Sequence, residues 1–170
     1  MSPGLRKLAL TIHVIASVGL LGAIAAFLAL SIAGLAGREP QTVRAAYPAM
    51  TLIARLVVTP LALAALITGL IQSLGTAWGL FRHYWVLIKL LVTLLATAVL
   101  LVKLDLIDQA ARLASETILA RADLRALGIQ LFVHAAGGLL VLLVPAVLSV
   151  YKPQGLTRYG TRRRHALSPP

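Results

Sequence analysis

Four apolar runs, each long enough to cross a lipid bilayer, constrain this chain more than any motif in it. A hydrocarbon core of about 30 Å needs roughly 20 helical residues. Residues 8–36, 49–74, 84–102 and 127–150 approach or exceed that length. Between the runs, no segment alternates apolar and polar residues with period two, which removes a β-barrel and leaves helices as the spanning solution. Composition agrees: 59% of residues are hydrophobic and 12% charged, against about 45–50% and about 25% in soluble domains. The expected fold is all-α, an integral membrane four-helix bundle over residues 1–152 followed by a basic tail at 153–170.

The connections carry the turn residues and the charge. Arg38-Glu39-Pro40 ends the first run, because proline disfavours helix in the residue before it, and Gly75 and Gly79 lie in the second connection. In the third, Leu104, Ile107, Ala111, Ile118 and Leu119 recur at near-helical spacing among charges, so the third and fourth helices are expected to continue above the membrane. Arg6 and Lys7 ahead of an apolar run also fit a secretory signal. The run is about twice the usual length of a signal's apolar region, so a retained first crossing is expected.

There are 16 Lys and Arg against 5 Asp and Glu, for a net charge of +11. Arg6, Lys7, Arg82, Lys152, Arg158, Arg162, Arg163 and Arg164 fall at the N-terminus, the second connection and the tail. Glu39, Asp105, Asp108, Glu116 and Asp123 fall in the other two connections. By the positive-inside rule both termini are expected in the cytoplasm. The tail is then an anchor for anionic lipid head groups. No nucleic-acid partner is expected, since no folded reading surface accompanies the charge. Trp78, Phe81, Tyr84, Trp85 and Tyr151 suit the inner interface, and Tyr47 the outer one.

Ionisable residues inside a membrane are costly, which makes each a functional candidate. Here they are His13, Arg55, Lys89 and His134, with His83 at the inner boundary and no carboxylate within a crossing. That lowers the standing of a proton-coupled pump or a divalent-cation carrier. By helical rise, His13 and Lys89 share an inner layer, and Arg55 and His134 share an outer one about 10–15 Å away. A haem b held between His13 and His134 is disfavoured, because both nitrogens must reach one iron. Sites that use only one of these two remain: His134 with Arg55 near a haem propionate or a quinone, or His13 with His83. The plainer expectation is that each histidine bonds a neighbouring helix and that Arg55 and Lys89 reach out to head groups. Gly137 and Gly138, one turn after His134, leave room for a flat ring or another helix. Pro60 and Pro145 are expected to disturb their helices, with Thr59 and Ser149 meeting the freed carbonyls.

Cysteine is absent, which excludes thiol catalysis and iron–sulfur ligation. No nucleophile elbow, phosphate loop, HExxH or dinucleotide fingerprint occurs. His13-Val14-Ile15-Ala16, His134 and Leu148-Ser149-Val150-Tyr151-Lys152-Pro153 together resemble small four-helix bacterial families of integral membrane proteins of unknown function. The resemblance covers nearly the whole chain and implies a bundle in the bacterial cytoplasmic membrane. A more distant resemblance is to the copper-resistance D type membrane domain, whose helices carry histidines. With 2 Met and no Cys, the chain departs from a usual copper(I) site. Three functions are therefore expected, in falling order. The first is a non-enzymatic accessory or scaffold subunit, alone as a homo-oligomer or with other membrane subunits. The second is a haem- or quinone-interacting electron-transfer protein, and the third a small transporter or channel.

Overall fold

The computed structural model describes residues 2–75, 83–115 and 121–151, and among these it contains helices and no strand. Helix α1 runs Pro3–Ala36, α2 Pro40–Ile53, α3 Thr59–Gly75, α4 Tyr84–Ser115 and α5 Arg121–Tyr151. A π-helical turn, Ala54–Val58, joins α2 to α3 into one continuous rod, Pro40–Gly75. Four rods result, each long and apolar enough to cross a membrane. The basic tail 153–170 and the aromatic residues Trp78 and Phe81 lie outside the described residues.

Helix starts follow the local sequence. Pro3 and Pro40 occupy first-turn positions, where a missing N–H costs nothing. Ser2 Oγ accepts the Leu5 N–H at 3.4 Å. Helix α4 continues to Ser115 and α5 begins at Arg121, so both helices extend into the third connection as expected; Ile118 and Leu119 lie outside the described residues. The second rod starts earlier than the apolar run at residue 49. Its first helix, α2, packs on α1 and α4, and protein contacts rather than lipid account for its more polar sequence.

The π turn has an identifiable cause. Pro60 has no N–H to give, and its ring crowds the carbonyl one turn back. The chain widens instead: Ala54 O accepts both the Thr59 N–H and the Thr59 hydroxyl, the latter at 2.8 Å.

Helix α1 lies beside α3 and α5, and α4 beside the same two, which sets the four crossings in a square. Exposed large apolar side chains form a belt from Leu52 to Leu74 on the second rod, Tyr84 to Val102 on α4 and Ile129 to Val150 on α5. Each stretch is about 27–33 Å of helix, which matches the hydrocarbon thickness of a bilayer. At the α2 end the bundle is closed by a tight core of Phe27, Tyr47, Met50, Ile107, Ala110 and Leu131. Tyr47 corrects the sequence reading. Expected at the outer interface, it is 1% exposed. Its ring fills a slot between Gly34 of α1 and Gly128 of α5, where a Cβ would come within 2.9 Å of Tyr47 Cζ and 2.5 Å of its hydroxyl.

Candidate functional site

In the half of the belt nearer α2 the square does not close. A cavity of about 350 Å³ lies among all four crossings, within the usual size of a small-molecule pocket, with Leu20, Phe27, Val58, Leu100, Leu131 and Leu142 in its wall. Its rim residues Leu95 and Val99 of α4 and Val133 and Val141 of α5 are exposed, so the chamber opens sideways between these helices. Gly137 and Gly138 line it, and a Cβ on either would meet nothing within 4 Å. The room expected beside His134 is therefore space, and no neighbouring helix fills it.

Polar groups in this wall are few: His134, Lys103, Thr93 and Thr97. His134 Nδ1 lies 2.6 Å from Gln130 O. A carbonyl can only accept, so Nδ1 carries the hydrogen and a neutral ring keeps its lone pair on Nε2. Thr97 gives its hydroxyl hydrogen to Thr93 O at 2.8 Å.

A second, smaller cavity of about 80 Å³ adjoins the first. Leu20, Thr93 and Leu142 belong to both walls. Its character is opposite: His13, Ser17, Lys89, Thr93 and Ser149 bring polar groups from α1, α4 and α5. Small residues place His13 there. Its ring packs on Gly69, and its Nδ1–H lies 3.1 Å from both Ala65 O and Thr68 Oγ1. The Thr68 hydroxyl gives its own hydrogen to Ala64 O at 2.6 Å. Lys89 Nζ donates to Ser149 Oγ at 2.6 Å and sits 5.4 Å from the Trp85 ring centroid. Ser149 in turn donates to Pro145 O at 2.7 Å. Lys89 is thus turned into the bundle, whereas the sequence had it reaching out to head groups.

The remaining candidates separate. Arg55 lies outside both cavity walls and makes a two-point ion pair with Asp108 of α4. That pair stands at the upper rim of the belt, since about 30 Å of helix separates Arg55 from Gly75. His83 stands beside Trp85, ring centroids 6.2 Å apart, and lines neither cavity. His13 and His134 line different cavities. Among the described residues no group of three His, Asp or Glu is placed to hold a metal ion. Lys103 and Ser149 were missed as wall residues. Both sit where a crossing ends in the sequence, and counting residues gives depth without saying which way a side chain turns.

Fold and cavities together define a helical bundle of four candidate membrane-spanning rods with an internal chamber. No family model, characterised protein or solved structure matches the chain.

Proposed function

We propose that this protein is a non-enzymatic intramembrane binding protein, which takes up a lipid-soluble molecule from the bilayer through the gap between α4 and α5. The observation that carries this reading is the chamber itself: apolar walls, two adjacent glycines facing open space, and a rim within the lipid-facing belt. Apolar surface in the chamber gains nothing from water, so an apolar occupant is favoured over a solvated one. His134, in the chamber wall with its Nδ1 hydrogen given to Gln130 O, suits a molecule that brings one hydroxyl. The charge distribution supports both termini on the cytoplasmic side, and the resemblance to small bacterial four-helix families points to a bacterial cytoplasmic membrane.

Chamber filling tests the reading. Delipidated protein titrated with oleyl alcohol and followed by native mass spectrometry should bind it saturably, whereas Gly138→Leu should fold normally and bind none. Equal, unsaturable uptake by both proteins refutes the proposal. An absorption spectrum before and after dithionite tests the electron-transfer alternative. Purified protein should be colourless. A Soret band lost in His134→Ala would instead make His134 the single axial ligand of a haem.

A further inference from the structure

Sharing a wall gives the two cavities a combined shape, apolar above and polar below. The polar compartment holds the Lys89 ammonium, the His13 ring and the hydroxyls of Ser17, Thr93 and Ser149. Among the described residues no carboxylate lines it. A volume of about 80 Å³ exceeds what one water needs and is enough for one small charged group. A cation this deep in a membrane protein marks a binding or transport role by default. The network around Lys89 has a definite direction. Ser149 spends its hydrogen on Pro145 O and accepts from Lys89, which fixes the ammonium at the wall. The Trp85 ring steadies the same charge from the other side.

Resting on the chamber reading above, we infer that the occupant is a single-chain amphiphile with an anionic head, a carboxylate or a phosphate. Its chain lies in the chamber of about 350 Å³ and its head against Lys89 and the hydroxyls of Ser17 and Thr93. The head passes between Leu20 and Leu142, where the two walls meet, and the charge on Lys89 selects it over a neutral analogue. Charge-assisted hydrogen bonds are the stronger kind, so losing this one should cost tenfold or more in affinity.

Oleate, oleyl alcohol and acetate test this in nanodiscs of zwitterionic lipid, with binding followed by equilibrium uptake of the labelled probe. Wild type should bind oleate at least tenfold more tightly than oleyl alcohol, and acetate should not compete. Lys89→Gln should lose that preference while keeping its affinity for oleyl alcohol. Lys89→Arg, which keeps the charge, should keep the preference, and this guards against misfolding as the cause of a loss. Equal binding of oleate and oleyl alcohol by wild type overturns the inference and leaves the chamber reading standing. So does an unchanged preference in Lys89→Gln. Competition by acetate alone would mean a free-anion site and would also overturn it. Should no probe bind wild type, or should Gly138→Leu bind both as wild type does, the chamber reading falls with it.

Discussion

Alanine in place of glycine should have opposite signs at two positions of α5. At Gly138 a Cβ meets nothing within 4 Å, so only the backbone term remains, and removing glycine from a helix interior is worth about 0.5–1 kcal/mol. At Gly128 the same Cβ would stand 2.5 Å from the Tyr47 hydroxyl and 2.8 Å from Leu35 Cδ2. Overpacking of this kind costs about 1–3 kcal/mol, and the helix gain offsets about 1 of it. Gly128→Ala should therefore destabilise by up to about 2 kcal/mol, while Gly138→Ala stabilises. Tyr47→Phe removes the nearer of the two clashing groups and leaves only the flexible tip of Leu35. In a double-mutant cycle it should recover about 1 kcal/mol of the Gly128→Ala loss, as expected for residues in contact. Helical circular dichroism during SDS titration of dodecylmaltoside micelles compares the four variants with wild type. The packing argument fails if Gly128→Ala is more stable than wild type, as Gly138→Ala should be, or if Tyr47→Phe leaves its loss intact.

Other perturbations probe the second rod and the topology. Thr59→Val removes the hydroxyl bonded to Ala54 O in the π turn and should cost about 1 kcal/mol in the same titration. No change would mean that the turn is held by Pro60 alone. Asp108→Asn should shift the unfolding midpoint only slightly, and less still in high salt, because the Arg55 side chain is 48% exposed and exposed pairs contribute little. A large, salt-insensitive loss would place the pair inside the lipid. Reporter fusions after Tyr151 should be active with a cytoplasmic reporter and silent with a periplasmic one; the reverse pattern would invert the orientation drawn from the charges.

The rods were legible in the sequence because lipid imposes one rule of length and polarity on whatever crosses it. Residues 84–102 and 127–150 could be read without knowing their neighbours. Extension of α4 and α5 beyond them was legible too, since Leu104, Ile107 and Ala111 keep a helical period among charges. Tyr47 was not. Near a proline and an arginine it looks interfacial, and only the meeting of Gly34 and Gly128 from two distant helices makes the slot that buries it. Depth came out well for His13 and Lys89, which do line one cavity. Direction did not, because a residue count is silent on whether Lys89 turns toward lipid or toward Ser149. The pairing of Arg55 with Asp108 likewise depends on how two rods sit side by side.

The close packing around Met50 and Ala110, both 0% exposed, stands at one end of the bundle, and the chamber lies below it. Local opening is easiest where apolar contacts are fewest. The molecule is therefore built like a clothes peg, stiff at the joint made by α2 and able to part its jaws lower down. Amide exchange should be slowest around Met50 and Ala110 and faster along residues 133–141. A guest could then enter or leave by a small spreading of α4 from α5, with the joint never letting go.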